Sequence, residues 1–185
     1  MRIDLIRHGK TAGNAEMRYV GRTDEALSFS GISELVNISY PSCEVLITSP
    51  MKRCIQTAEL IFPNKEPIIC DELRECDFGD FEGKNYIELS MDSRYQRWID
   101  SGGEAAFPNG ESPVDFKKRC VDGFLKCVNN IESSSAAFVV HGGTIMAILE
   151  HFAEPHRGYY DWHTANGHGF SVTFDGEKIT VLEKI

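Results

Sequence analysis

Short apolar stretches alternate with helix-compatible segments along most of this chain, and three of the stretches stop abruptly at polar residues. Such alternation is typical of α/β proteins whose strands are mostly parallel and whose helices cover both faces of the sheet. We therefore expect a three-layer α/β/α fold with a mostly parallel central sheet, in a single domain that covers residues 1–185. The three stretches span residues 3–6, 44–48 and 136–140, and they end at Arg7-His8-Gly9, Ser49-Pro50 and His141-Gly142-Gly143.

Other segments complete this pattern. Ser112 and Pro113 are typical of a helix N-terminus, and Asp115 places an acid three residues after the cap. Two alternating runs around Asp175-Gly176 indicate a hairpin at an edge of the sheet. The remaining predicted elements are helices over 30–39, 51–62 and 144–152, short helical pieces over 86–89 and 94–99, and a short strand over 67–70.

The chain is acidic, and its charge limits the partners we expect. A formal net charge of −9 repels nucleic acid and anionic membranes at long range, so we expect neither as a partner. No secretory signal or membrane-spanning run follows Met1-Arg2, and we expect a cytoplasmic protein. The six cysteines form no C-x-x-C pair, which favours free, buried or half-buried thiols. The C-terminal histidines have no compact ligand spacing, so we expect no metal.

The polar residues at the strand ends form a candidate site. Because the carboxyl ends of parallel strands meet at one edge of a sheet, we expect Arg7, His8, Arg53 and His141 to lie close together. An imidazole can attack phosphorus in line, while guanidinium groups and a second imidazole neutralise the phosphoryl oxygens. This chemistry favours phosphoryl transfer with His8 as the nucleophile. We expect His8 to be neutral and His141 to be charged at working pH.

A phosphoryl transfer to His8 also requires a group that protonates the departing oxygen. The acidic loop over residues 73–83 offers several carboxylates, and Glu75 is the first candidate among them. Taken alone, each of these residues has a plainer interpretation, because histidines are often structural and charged residues usually lie in solvent. Gly9-Lys10-Thr11 resembles the end of a phosphate-binding P-loop, but Asp4 stands where that motif needs a glycine.

Four motifs, taken in order, carry more information than their single residues. They are Leu5–Thr11 with Asn14, Ser49–Ala58, Leu73–Glu75 with 78–79 and 81–83, and Val139–Gly143. In these motifs the chain resembles the histidine phosphatase superfamily of phosphoglycerate-mutase-like proteins, over most of its length.

The resemblance implies a role for each matching residue. His8 would be the phosphorylated nucleophile and Glu75 the proton donor. The phosphate pocket would consist of Arg7, Arg53 and His141, and Asn14 would contact the phosphate or the substrate. The family is known to work without a metal, and we expect no cofactor.

Within that family the chain is similar to the α-ribazole phosphatases of the cobalamin pathway. The matching features are Tyr19, Gly21, Thr23-Asp24, the segment around Trp98 and the segment over 107–112. This similarity implies hydrolysis of a small phosphorylated metabolite, with α-ribazole 5'-phosphate as a candidate, and substrate contacts from the loop Tyr19, Gly21, Arg22 and Thr23. Cofactor-dependent mutases carry an insertion and a C-terminal tail for which 185 residues leave no room, so we expect water to reach phospho-His8.

Two positions depart from the family pattern, and several alternatives stay open. Met146 stands where relatives commonly carry an arginine, and Asn109 replaces a usual glycine.

The alternative functions are a cofactor-dependent phosphoglycerate mutase, a sugar-bisphosphate phosphatase, and a non-catalytic scaffold that binds a phosphorylated ligand. We expect a monomer or a homodimer. Five aromatic residues could either stack on a substrate or belong to the core: Tyr19, Tyr86, Trp98, Tyr159 and Trp162.

Overall fold

The computed structural model describes residues 1–185 and contains one six-stranded sheet with the order β3-β2-β4-β1-β5-β6. The strands are β1 (Arg2–Arg7), β2 (Val45–Thr48), β3 (Ile68–Ile69), β4 (Ser135–Val140), β5 (Gly169–Phe174) and β6 (Ile179–Lys184). The α-helices are α1 (Ala12–Ala15), α2 (Phe29–Leu35), α3 (Lys52–Ile61), α4 (Tyr86–Leu89), α5 (Ser93–Asp100), α6 (Pro113–Asn129) and α7 (Gly142–Phe152). Single turns of 3-10 helix span Asp71–Leu73, Gly79–Phe81 and Tyr159–Trp162.

The sheet is mostly parallel, as the sequence predicts. Strand β4 pairs in parallel with both β1 and β2, and β2 pairs in parallel with β3. Strand β5 is antiparallel to β1 and to β6. The predicted hairpin is therefore confirmed, with β6 as the outermost strand on that side.

Alternating residues of the central strand β4 face two separate hydrophobic cores, which explains the three layers. Ala136, Phe138 and Val140 pack on one face with residues of α6 and α7. Ala137 and Val139 pack on the other face with residues of α3. Because successive side chains of a strand point to opposite faces, a strand that is apolar throughout must be covered on both sides.

Helix α2 is shorter than the sequence predicts. It ends at Leu35 instead of continuing to residue 39. The side chain of Asn37 donates to the carbonyl of Ser33 and so caps the end of the helix, a competing bond that short polar side chains favour. Helix α6 begins as predicted, with the Ser112 side chain accepting from the Asp115 amide and Pro113 in the first turn.

The register of the sheet brings the ends of the three predicted strands to one edge. Arg7 is level with Val140, and Thr48 is level with Val139. His8, Ser49 and His141 therefore follow their strands at the same edge of the sheet.

Two further observations concern the chain as a whole. All six cysteines are free, five of them buried and Cys127 half-buried, which confirms the prediction of unpaired thiols. None of the helices combines the length and the apolar character that crossing a membrane requires.

Candidate active site

His8 lies directly after β1 and is 3% exposed. Its Nδ1 is 2.7 Å from the carbonyl oxygen of Gly9. A carbonyl can only accept, so Nδ1 carries the proton and donates it, and Nε2 keeps a free lone pair. The local backbone therefore selects one tautomer of His8.

His141 is the N-cap residue of α7 and is fully buried. The centroids of the His8 and His141 rings are 5.2 Å apart, with 68° between the ring planes. The Ser49 hydroxyl is 2.8 Å from Nε2 of His141, and the Cys54 thiol is 3.6 Å from the same nitrogen. Ser49 and Cys54, which follow β2, therefore hold the ring of His141, which follows β4.

Arg53 lies in the first turn of α3 and is completely buried. Its Nη1 donates to the carbonyl of Thr23 at 2.8 Å, and its Nη2 donates to the carbonyls of Gly21 at 2.9 Å and Val20 at 3.3 Å. The guanidinium group therefore organises the loop that follows Tyr19. Its Nε is buried and has no partner in the protein.

Arg7, the last residue of β1, resembles Arg53 in this respect. Its Nη1 donates to the carbonyl of Thr164 at 2.7 Å, and its buried Nε has no partner. A buried donor without an acceptor is unfavourable unless a ligand supplies one. Two guanidinium groups with free Nε donors beside two imidazoles are suited to binding an oxyanion.

Glu75 lies against the N-terminus of α7. Its Oε1 accepts from the amide of Cys76 at 3.0 Å. A Cβ atom at Gly143 would stand 2.5 Å from this same Oε1, so only glycine leaves room for the carboxyl group there. Burial raises the pKa of Glu75, and the charges of Arg53 and Arg7 oppose that shift. The net shift makes Glu75 easier to protonate than an exposed glutamate.

The pKa values of both histidines are shifted in the same direction. Burial, followed by the charge of Arg53, lowers the pKa of His8 well below its usual value. Burial, again followed by the charge of Arg53, lowers the pKa of His141 as well. The expectation of a neutral His8 agrees with this shift and the expectation of a charged His141 does not, because burial and the two guanidinium groups oppose a further positive charge.

A cavity of about 590 Å³ opens beside this cluster. Arg7, Glu75, Gly142 and Gly143 line its inner end. The wall beyond them includes seven aromatic residues, Tyr19, Phe78, Trp98, Phe107, Phe116, Tyr159 and Tyr160. The sequence left open where five aromatic residues lie, and the structure divides them. Tyr19, Trp98 and Tyr159 line the cavity, Trp162 is in the core, and Tyr86 is exposed on α4.

Asn14 lines a second, smaller cavity, which shares Arg7 and His163 with the first. Its Oδ1 accepts from the side chain of Asn166 at 3.1 Å and from the amide of Thr11 at 3.2 Å. These bonds leave the Asn14 amide group as a donor next to Arg7. Asn14 thus lies at a cavity that adjoins the larger one at Arg7 and His163.

The loop residues predicted to bind substrate are placed differently from one another. Tyr19 lines the larger cavity, whereas Gly21 and Thr23 turn their carbonyls to Arg53. Arg22 is exposed and lies 3.4 Å from Asp77. Substrate binding by Gly21, Arg22 and Thr23 stays a prediction.

Several residues of this region were not found by sequence reasoning. Asn166 donates to the carbonyl of His8 as well as to Asn14, both at 3.1 Å. Lys117, Glu150 and His163 also line the larger cavity. Lys117 and Glu150 belong to helices whose apolar faces dominate the sequence pattern. His163 and Asn166 lie in the loop before β5. The sequence therefore carries no signal for any of the four.

The comparisons with known proteins agree with this arrangement. A model of the histidine phosphatase superfamily (branch 1) matches residues 3–184. The protein named uncharacterized phosphatase PhoE from Bacillus subtilis (strain 168) is 30% identical over 151 residues, which cover 78% of this chain and 74% of the relative. The adenosylcobalamin/alpha-ribazole phosphatase of Escherichia coli (strain K12) is 28% identical over 157 residues, or 80% of this chain and 77% of the relative.

The fold is also similar to that of a solved structure, the alpha-ribazole phosphatase from Shigella flexneri. The TM-score is 0.87 at 23% identity, and the match covers 98% of this chain and 95% of the other. At that identity the likeness supports the fold and not the substrate.

Proposed function

The chain belongs to the histidine phosphatase superfamily, branch 1, and from this premise we propose that it is a phosphomonoesterase that works through a phosphohistidine at His8. The single observation that best supports the proposal is the 2.7 Å contact between Nδ1 of His8 and the carbonyl of Gly9. This contact leaves Nε2 unprotonated and ready to attack. We also propose that residues 1–185 form a single domain.

In the first step, the lone pair of His8 Nε2 forms a bond to phosphorus and the ester P–O bond breaks. The free Nε donors of Arg7 and Arg53 would bind the phosphoryl oxygens, and Asn14 would contact them from the side of the smaller cavity. A bound phosphoryl dianion also favours a proton on His141, which would then share in stabilising the charge.

Glu75 supplies the proton that the departing oxygen needs. Burial raises the pKa of Glu75, so the acid form is available for this donation. In the second step the resulting carboxylate takes a proton from water, the water oxygen attacks phosphorus, and the P–N bond breaks. His8 regains its lone pair, Glu75 regains its proton, and inorganic phosphate leaves.

The aromatic wall supports a leaving group with a flat ring system. Tyr19, Trp98 and Tyr159 offer faces or edges to such a group. We therefore propose α-ribazole 5'-phosphate as the candidate substrate, which would place the protein in cobalamin synthesis in the cytoplasm. The alternatives are a phosphoglycerate mutase and a sugar-bisphosphate phosphatase, whose leaving groups lack an aromatic ring.

Two experiments test the function. The first compares kcat/KM for α-ribazole 5'-phosphate, 3-phosphoglycerate, fructose 2,6-bisphosphate and phosphotyrosine. We expect the ribazole ester to be turned over most efficiently, with transfer to water. Preference for 3-phosphoglycerate, with label from a bisphosphate primer appearing in an isomeric product, would favour the mutase instead.

The second experiment identifies the nucleophile. After incubation with p-nitrophenyl phosphate and quenching in alkali, we expect an acid-labile phosphate on the wild-type protein and none on His8→Ala. His151→Ala is the matched control, because His151 is exposed on α7. Undiminished turnover by His8→Ala would contradict the mechanism, and a wild-type protein that neither turns over the ester nor carries phosphate would favour the scaffold.

A further inference from the structure

The outer part of the larger cavity contains one lysine, and that lysine is already engaged. Lys117 Nζ lies 2.7 Å from Glu150 Oε2, and it also stands 4.4 Å from the centroid of the Tyr159 ring. The side chains of Lys117 and Glu150 are 36% and 27% exposed, so the pair is partly shielded from solvent. The ammonium group is thus held between a carboxylate and an aromatic face.

The position of this pair follows from two packed helices. Lys117 lies on α6 and Glu150 on α7, and both helices contribute to the wall of the cavity. Met146 precedes Glu150 by one helical turn and lines the same wall. Along α7, an apolar side chain therefore lies one turn from the carboxylate that pairs with Lys117.

The remaining charge of the outer wall is negative. Glu104 lines the cavity near Gly102 and Gly103, and its carboxylate forms no ion pair in this structure. Arg7 lies at the inner end, where the phosphoryl group would bind. A second anionic group on the leaving group would thus meet Met146, aromatic rings and Glu104, but no free cation.

We propose that Glu150 is a specificity-determining residue, which by pairing with Lys117 restricts the reaction to monophosphates whose leaving group is flat, apolar and free of a second anionic charge. This inference rests on the proposed phosphomonoesterase function and concerns the leaving group alone. It assigns the selection against bisphosphates and phosphorylated carboxylic acids to one ion pair on the cavity wall.

The test compares two probes that differ by one carboxylate, phenyl phosphate and 3-carboxyphenyl phosphate. The readout is the ratio of kcat/KM for the carboxylated ester to kcat/KM for the plain ester. We expect the wild-type protein to prefer phenyl phosphate. Glu150→Gln releases Lys117 for the probe's carboxylate, and we expect the ratio to rise about five- to tenfold.

Two further variants make the test directional. Lys117→Met leaves the Glu150 carboxylate unpaired in the cavity, so the ratio should fall below that of the wild type. Glu154→Gln removes a carboxylate that pairs at 2.6 Å with Lys178, outside the cavity, and should leave the ratio unchanged. The opposite signs for the two cavity variants cannot arise from a general loss of stability.

Phosphonates separate this inference from the proposed function. Affinities of phenylphosphonate and 3-carboxyphenylphosphonate, measured by calorimetry, give the same ratio without any turnover. A wild-type protein that hydrolyses neither ester contradicts the proposed function, and the phosphonate affinities then decide the role of Glu150 by themselves. A ratio that is unchanged in Glu150→Gln, or a wild-type preference for the carboxylated probe, overturns the inference.

Discussion

The imidazole rings of His8 and His141 meet edge to face with their centroids 5.2 Å apart, although they follow two different strands of the sheet. The parallel pairing of β1 with β4, with Arg7 level with Val140, brings them together. Burial, followed by the charge of Arg53, lowers the pKa of both rings. Both shifts favour neutral imidazoles beside the two guanidinium groups, whose charges are complementary to a phosphoryl dianion.

Replacing Glu75 by glutamine should separate the two steps of the reaction. The leaving group of p-nitrophenyl phosphate needs no proton, so we expect a burst of about one equivalent of p-nitrophenolate followed by slow turnover. For an alkyl phosphate we expect kcat to fall about 10²- to 10⁴-fold without a burst. Stopped-flow absorbance and steady-state assays measure both. Glu72→Gln is the control, because Glu72 pairs with Lys126 away from the cavity. Equal losses for both esters in the rate of the phosphorylation step would exclude Glu75 as the acid.

Gly143→Ala should disturb the position of Glu75 and not the fold. The added Cβ would lie 2.5 Å from Glu75 Oε1 and 3.0 Å from the Phe116 ring, so the carboxyl group must move. We expect kcat for an alkyl phosphate to fall about tenfold or more. The loss should nearly vanish when the change is made in Glu75→Gln, because both changes act on the same group. Gly158→Ala, whose Cβ would have no neighbour closer than 3.4 Å, is the matched control. Additive losses in the double variant would refute this coupling.

Arg53→Lys should weaken both the fold and the activity. Arg53 is fully buried, and its guanidinium group donates to the carbonyls of Val20, Gly21 and Thr23. A lysine cannot reach all three acceptors, so we expect a loss of about 2–4 kcal/mol in the free energy of unfolding. Urea unfolding measures this loss, and kcat/KM should fall at least about a hundredfold. Lys52→Met alters the exposed neighbour and should change stability by less than about 0.5 kcal/mol. A stable and active Arg53→Lys protein would contradict the assigned role.

Stability should fall as the pH is lowered through the histidine range. In the unfolded chain His141 titrates near 6.5, whereas burial keeps its pKa well below that value in the fold. Below about pH 6.5 the unfolded chain therefore binds more protons, and the free energy of unfolding decreases by up to about 1.4 kcal/mol per pH unit for this residue. The raised pKa of Glu75 acts in the opposite sense above 4.5, and it is common to wild type and variant.

Urea unfolding between about pH 5 and pH 7.5 tests this dependence. His141→Gln should show a smaller slope than the wild type, because glutamine does not titrate. His151→Gln, which changes an exposed residue of α7, should keep the wild-type slope. Identical slopes for the wild type and His141→Gln would show that His141 does not hold a lowered pKa in the fold.

The sequence predicted the parts of the fold that depend on local patterns. The apolar run of β4 stops at His141 because Gly142 and Gly143 begin a helix there, and this transition can be read from the residues alone. Once the strands are taken as parallel, the approach of His8 and His141 follows from their position at the strand ends. Local pattern and topology therefore sufficed to place these two histidines.

The remaining contacts depend on tertiary structure. Asn166 joins His8 to Asn14 from a loop with no distinguishing motif. The Lys117 to Glu150 pair exists only because α6 packs on α7. The tautomer of His8 is set by its distance from the Gly9 carbonyl, which depends on the exact course of the backbone and not on the identity of the residues.

The place of β1 in the sheet has a consequence for the synthesis of this protein. Strand β1, which ends directly before His8, is made well before its two neighbours in the sheet, β4 and β5. This apolar strand therefore has no partner in the sheet while the residues between β1 and β4 are synthesised. Such a delay slows folding and exposes the nascent chain to aggregation. A chain without β5 and β6 would still contain every predicted site residue, but β1 would lack one of its two neighbours. His8 follows the earliest of the six strands, yet its surroundings are complete only when β4 and β5 have been made.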